Sequence, residues 1–264
     1  MVRIFKGEAL KQRFPKAESL VRIFKGEALK QRRRIIMKEK IGTDVILDCT
    51  HTIAEPLFKN TVYPWEVLSS IGDFIMKLGP TLPKNEYDMV GENIWIAKSA
   101  TVAPSACLNG PLIICDKAEI RHCAFIRGNV IVGKNAVVGN STEVKNSILF
   151  DCVQAPHFNY VGDSVYGYKS HTGAGVIASN LKSDRSNVVI CIDGEKIDTG
   201  RKKFGAVIGD YVEVGCNSVL NPGTVIGKNT TVYPVSRVRG YVPEGSIYKK
   251  ADEVIEKYLP DVDA

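Results

Sequence analysis

Two polar runs carry the side chains best suited to chemistry. Residues 153–163 read Val-Gln-Ala-Pro-His-Phe-Asn-Tyr-Val-Gly-Asp, and residues 173–180 read Gly-Ala-Gly-Val-Ile-Ala-Ser-Asn. Histidine titrates where a general base is useful, and His157 has Asn159, Tyr160 and Asp163 within six residues. Polar and titratable groups gathered in this way mark reactive sites, although a histidine taken alone is more often structural. Tyr160 and Asn180 could equally satisfy backbone groups, and Arg127 and Lys145 could equally be solvated surface cations.

Other reactive residue types point away from metal and thiol chemistry. His122, His157 and His171 do not have the spacing of a three-histidine zinc site, although the last two fall near each other along the chain. No metal is expected. The seven cysteines are scattered, odd in number and free of CxxC spacing. That pattern suits reduced thiols in a cytoplasmic protein better than a zinc or disulfide framework. Cys216 has no assigned base and reads as a small hydrophobe. His122 and Cys123 are expected to pack.

These residues sit on, or beside, a period of six. Val90, Ile96, Val102, Leu108, Ile114, Ile120, Ile126, Val132, Val138 and Val144 are spaced by six, and the stripe resumes as Ile208, Val214, Leu220, Ile226, Val232 and Val238. Small residues recur two places earlier, at Ala118, Ala124, Ala136 and Ser218 for example, and glycines often follow the aliphatic. Neither a helix nor an ordinary strand has this period. It fits short strands that turn three corners per coil, with the aliphatic inside and glycine at the turn, as in the hexapeptide β-helix. The expected fold is all-β, a left-handed parallel β-helix spanning residues 86–250.

Segments that break the period flank or interrupt this coil. Residues 178–205 form an insertion in which 188–198 predict a hairpin around Asp193-Gly194, a favoured turn pair. Helical spacing of Val67, Leu68, Ile71, Phe74, Ile75 and Leu78, behind Pro64, predicts a helix over 65–78 within an N-terminal segment of 37–85. A short helix over 251–258 is expected in the tail, 251–264.

The net charge of +6 belongs to the N-terminus, because residues 1–36 hold eleven Lys/Arg against three Glu. There, residues 2–13 recur unchanged at 21–32. Natural repeats diverge and need several units to bury a core. The extension therefore reads as vector-derived or mis-called sequence ahead of Met37, outside the fold. No apolar run approaches the roughly 20 residues of a membrane span, so neither a membrane nor a nucleic-acid partner is expected.

EVKNS (143–147), PHFNYVGDS (156–164), GAG (173–175), SNL (179–181) and GRKKFGAVIGD (200–210) resemble the acetyltransferase half of bifunctional glucosamine-1-phosphate acetyltransferase/uridylyltransferases, archaeal-type forms above all. The resemblance spans roughly residues 60–240, and Tyr63-Pro-Trp-Glu-Val-Leu resembles the linker helix of such enzymes. No Gly-rich nucleotide loop precedes residue 60, so uridylyl transfer is not expected. The resemblance implies transfer of an acetyl group from acetyl-CoA to the amine of a sugar phosphate, with glucosamine 1-phosphate as the leading acceptor. On matching positions it implies His157 as general base, Asn180 holding the amine or the tetrahedral centre, Arg127 and Lys145 on the phosphate, and Tyr160 as a hydroxyl donor. His171 stands where the family usually has Asn, and Leu181 where the common bacterial form has Tyr. Lys182 is the stand-in for a lysine of the following loop. Ala206, Cys216 and Pro234 are implied near the coenzyme A groove.

The resemblance and a flat, partly apolar wall together imply a homotrimer with the site between neighbours. The hairpin is expected to reach toward an adjacent subunit. Two competing readings are a metal-dependent hexapeptide-repeat enzyme and a non-catalytic scaffold related to the pyrophosphorylases.

Overall fold

The computed structural model describes residues 37–250 and 253–257. The duplicated extension and the rest of the tail lie outside the described residues. The described residues from Lys38 onward belong to one compact unit.

The chain winds into a parallel solenoid with three walls. The first has nine strands, from Tyr87–Gly91 and Ile94–Ala97 to Tyr241–Val242; the second has nine, from Thr101–Val102 to Glu253–Glu256; the third has seven, from Cys107–Leu108 to Arg237–Val238. Strands this short find their partners only in the coils above and below, so each coil is stable because its neighbours are. Ile114, Ile120, Ile126, Val132, Val138 and Val144 all point inward at 1% exposure or less, as do Ile208, Val214, Leu220, Ile226, Val232 and Val238. Each such side chain contributes about 1.5–3 kcal/mol by leaving water.

The stripe does not stop at Val144; it slips. Ile96 pairs with Ile114 and Ile114 with Val132, an offset of 18 residues. Val132 then pairs with Leu149, Leu149 with Tyr166, Val144 with Val161 and Val161 with Ala178, an offset of 17. The missing residue is lost at the corner between the third and first walls. Three residues, 127–129, separate Phe125–Ile126 from Val130–Val132, whereas Asn146 alone separates Glu143–Lys145 from Ser147–Leu149. The interior then reads Ala155, Val161, Tyr166, Thr172 and Ala178, and the fully buried Tyr166 ring fills the volume its small neighbours leave.

Several expectations are corrected. Corners are turned mainly by non-glycine residues in the left-handed region, among them Asn129, Asn135, Ser141, Asn146, Phe158 and Asp163, with φ between 46° and 54°. Glycine of the repeat serves a different need: a Cβ on Gly139 would run into the Pro156 carbonyl of the next coil. Val90 is 59% exposed, because Tyr87–Gly91 runs antiparallel to Ile94–Ala97 outside the coil. His122 and Cys123 are exposed at a corner rather than packed.

The expected C-terminal helix is a strand instead: Glu253–Glu256 pairs antiparallel with Ser246–Lys250. The last coil leaves unpaired backbone groups that a strand saturates and a helix would not. The N-terminal helix is split into a 3₁₀ helix, Pro64–Ser69, and an α-helix, Ile71–Leu78. The tighter turn stacks Trp65, Leu68 and Ile71, three apart, on one buried side. Among the described residues no helix is long and apolar enough to cross a membrane.

The insertion leaves the coil after Ala178 and returns at Ala206, so Tyr166 pairs with Ile208. Its hairpin, Val189–Ile192 with Glu195–Asp198, turns at Asp193 and Gly194, both at positive φ. The hairpin lies back on its own coil. Val188, Ile190 and Ile192 are buried, a Cβ on Gly223 would meet Val188 at 2.5 Å, and Lys40 bonds Asp193 at the tip.

Candidate active site

Most of the implied site residues fall into two groups, one at each edge of the third wall. The shortened corner between the third and first walls holds the larger group. There the buried Asp163, at φ +48°, accepts from Asn146 Nδ2 at 2.8 Å and Asn180 Nδ2 at 2.5 Å, with Lys145 Nζ 3.7 Å away. Arg127 Nη1 donates to Glu143 Oε1 at 2.8 Å. Tyr160 lies in register with Glu143 on one side and Ile177 on the other. Burial raises the Tyr160 pKa, as do Glu143 and Asp163, while Arg127 and a hydrogen bond with Asn180 oppose the shift.

Local sequence explains the arrangement. Losing one residue at Asn146 and again at Asp163 draws successive corners tight, so amide and carboxylate of adjacent coils meet. Gly162 leaves the space into which the Tyr160 hydroxyl and Asn180 amide converge, since a Cβ there would sit 2.7 Å and 2.8 Å from them. A carboxylate only accepts, so the Asn180 amide turns Nδ2, not Oδ1, to Asp163. Phe204 N–H donates to Asn180 O at 2.9 Å, and Trp65 of the N-terminal segment packs on the Phe204 ring with centroids 5.5 Å apart. Aromatic contact thus braces the backbone that carries Asn180.

At the opposite edge of the third wall is a second group. His157, Ala174, Cys216 and Pro234 stack in one column, shown by Gly175 N donating to His157 O, Asn217 N to Ala174 O and Val235 N to Cys216 O. His157 is exposed, and its ring bonds no described residue. Two residues, Phe158 at positive φ and Asn159, and then the strand Tyr160–Gly162 separate this column from Asp163, the strand alone spanning about 10 Å. One chain therefore does not bring His157 to Asn180.

The remaining expected residues stand apart. His171 lies on the second wall, its Nδ1 2.6 Å from Glu213 Oε2. Ala206 is fully buried where the first wall resumes, its N–H donating to Ser164 Oγ, so it lies apart from Cys216 and Pro234. Ala174, by contrast, stands in their column. Lys182 Nζ pairs with Asp184 at 3.4 Å, whereas Lys203 is brought opposite Leu181. Asp163, noted from the sequence only as a neighbour of His157, is instead the centre of this group, and Arg201 and Lys203 are neighbours that spacing did not single out. The signal that could have found Asp163 is the lost residue in its corner. Among the described residues no group of three or more His, Cys, Asp or Glu could hold a metal ion.

Comparison with known proteins agrees with the repeat. Residues 108–214 match the GMPPB C-terminal domain. The bifunctional protein GlmU of Methanococcus maripaludis is 35% identical over 199 residues, covering 74% of this chain and 48% of that protein. The bifunctional sugar-1-phosphate nucleotidylyltransferase/acetyltransferase of Sulfurisphaera tokodaii is 34% identical over 161 residues, 54% of this chain and 40% of that protein. Among solved structures, the N-acyltransferase AntD of Bacillus cereus matches 69% of this chain and 90% of its own at 16% identity and a TM-score of 0.36, a likeness too loose to bear on the site. The chain is thus a relative of the bifunctional GlmU proteins and spans about half the length of those it matches.

Proposed function

We propose that the protein transfers an acetyl group from acetyl-CoA to the amine of an amino-sugar phosphate, glucosamine 1-phosphate first among candidates, at a site shared between copies in a homotrimer. The observation that carries this reading is the division of the machinery between the two edges of the third wall. A base at one edge and an amide-carboxylate cluster at the other meet only if a neighbouring copy supplies one of them. Exposed apolar side chains on and beside this wall, Phe158, Val219 and Val235, suit such a contact. The acetyltransferase named in the Sulfurisphaera relative supports the reaction class.

In the proposed step the acceptor nitrogen attacks the thioester carbonyl, forming the N–C bond as the C–S bond breaks. His157 takes the proton from nitrogen and returns it to the departing thiolate. Asn180 Oδ1, which the bond from Nδ2 to Asp163 leaves as the acceptor end of the amide, accepts an N–H of the amine and aims its lone pair. Arg127, Lys145 and Tyr160 face the sugar phosphate, while the column of Ala174, Cys216 and Pro234 lies along the path of the coenzyme.

Subunit complementation tests this reading. His157→Ala and Asn180→Ala should each lose free-thiol release from acetyl-CoA with glucosamine 1-phosphate. Co-refolded in equal amounts, they should recover about a quarter of the wild-type rate, because a heterologous threefold interface pairs two intact halves at that frequency. A mixture as inactive as its parents, or a monomer by light scattering, would refute the shared site. Full activity of His157→Ala would refute the base.

A further inference from the structure

The cations around Asp163 are not equally free. Arg127 is committed to Glu143 at 2.8 Å, and Lys145 leans on Asp163 at 3.7 Å. A third cation, Arg201, arrives on the return segment of the insertion. Its backbone is tied to the hairpin base, where Val188 N–H donates to Arg201 O at 2.8 Å. Its guanidinium is half-buried, its Nε is shielded from solvent with no hydrogen-bond partner, and no carboxylate of the described residues lies within ion-pair distance. Burial lowers its pKa, and the field of Asp163 acts in opposition.

Asp163 is near enough to act through its field, but it is not bonded to the Arg201 Nε, which has no hydrogen-bond partner. Its carboxylate already accepts from Asn146 and Asn180, one bond on each oxygen, and has Lys145 nearby. A shielded guanidinium donor without an acceptor is costly in a folded protein, and such exceptions mark an absent ligand or water. A guanidinium fork matches the oxygens of a phosphate, which it binds through two parallel N–H···O bonds. Cations also outnumber carboxylates in this corner, with Arg127, Lys145 and Arg201 against Glu143 and Asp163.

We propose that Arg201 is the anchor for the acceptor's phosphate, which makes the insertion a wall of the acceptor site and a determinant of its preference for phosphorylated sugars. This rests on reading the corner as the acceptor site. Arg127, held by Glu143, shapes the rim, and Lys145 supplies a second, point-like charge. By lying on the coil, the hairpin fixes Val188 and, through it, the backbone of Arg201.

Inorganic phosphate is a probe that needs no turnover. Calorimetric titration of the full chain, saturated with coenzyme A to occupy any phosphate site of the coenzyme, should show phosphate binding. Arg201→Gln should weaken it at least tenfold, and Arg201→Lys, which keeps charge without the fork, several-fold. Arg185→Gln, on an exposed turn of the same insertion, should leave it unchanged, and thermal melts should show every variant folded. In turnover, Arg201→Gln should raise KM for the sugar phosphate and leave KM for acetyl-CoA unchanged. Phosphate affinity within twofold of wild type in both Arg201 variants, or no phosphate binding by the wild-type protein, would overturn the proposal. Arg201-dependent phosphate binding in a protein that acetylates no amino sugar would refute the proposed reaction and leave the phosphate subsite standing.

Discussion

Gly162→Ala separates the geometry of the site from the stability of the coil. Gly162 sits in the strand Tyr160–Gly162, outside the left-handed region, so alanine suits its backbone. The added methyl would lie 2.7 Å from Tyr160 Oη and 2.8 Å from Asn180 Nδ2, about 0.7 Å inside ordinary contact near 3.4 Å. Both atoms end flexible side chains, so the coil need not open; the amide and the phenol must part. What is lost is the charge-assisted bond from Asn180 to Asp163, about 1.5–3 kcal/mol for a hydrogen bond to a charged group. If that bond aims Asn180 Oδ1 in the transition state, kcat falls by about 10- to 100-fold. Loss of a glycine's freedom in the unfolded chain offsets part of the strain, about 0.4–1 kcal/mol. The melting temperature should therefore move by only a few degrees. Thiol release against acetyl-CoA, with a thermal melt on the same preparation, reads both. Since the His157 column lies at the other edge of the wall, KM for acetyl-CoA should hold. A folded Gly162→Ala protein with the wild-type rate would refute the role given to the Asn180–Asp163 bond. A collapse in stability would show that Gly162 serves packing.

Two further substitutions probe the coil itself. Asp210 is buried and accepts from Asp48 N–H at 2.7 Å and Tyr168 N–H at 2.8 Å, with Lys228 Nζ at 3.1 Å, so it latches the N-terminal segment to the solenoid. Asp210→Ala strands two N–H groups and a cation and should cost about 3–5 kcal/mol in denaturant unfolding; a loss under 1 kcal/mol would contradict the latch. Asp151 is half-buried, and burial raises its carboxyl pKa against the pull of the Lys134 N–H bond and Lys134 charge. A raised carboxyl pKa means that ionisation costs the folded state, a cost present above that pKa and gone below 3.8, where both states are protonated. Asp151→Asn should therefore be more stable than wild type at neutral pH, with the difference vanishing as pH falls toward 3.8. A difference in melting temperature that is constant with pH would contradict this.

The aliphatic stripe was legible because its cause is local and repeated. Every sixth side chain enters a coil of fixed girth, so Ile114, Val132 and Ile208 declare their burial by spacing alone. The hairpin at Asp193-Gly194 was legible for a similar reason, because few residue pairs tolerate two positive φ values in succession. Where the cause is a neighbouring coil, spacing is silent. Counted by sixes, the stripe ends at Val144 only because one residue is lost at Asn146 and another at Asp163, and the next interior residues, Leu149 and Tyr166, fall out of phase. The tail residues 253–256 become a strand because an open sheet edge waits beside them, a condition written nowhere in their own sequence.

The candidate site divides along the same line. Its residue types, His157, Tyr160, Asn180 and Lys145, stand in the sequence as a polar run beside a broken repeat. Their distribution over two edges of one wall does not, since it depends on which corner each coil places them. Only the folded coil puts Asp163 against Asn180 and so decides that Nδ2 is the end of the amide held by the carboxylate. Only the return of the insertion sets Arg201 near that carboxylate with its own donor unpaired. Side-chain chemistry is a property of the chain, but the partner each group finds depends on the coils above and below it.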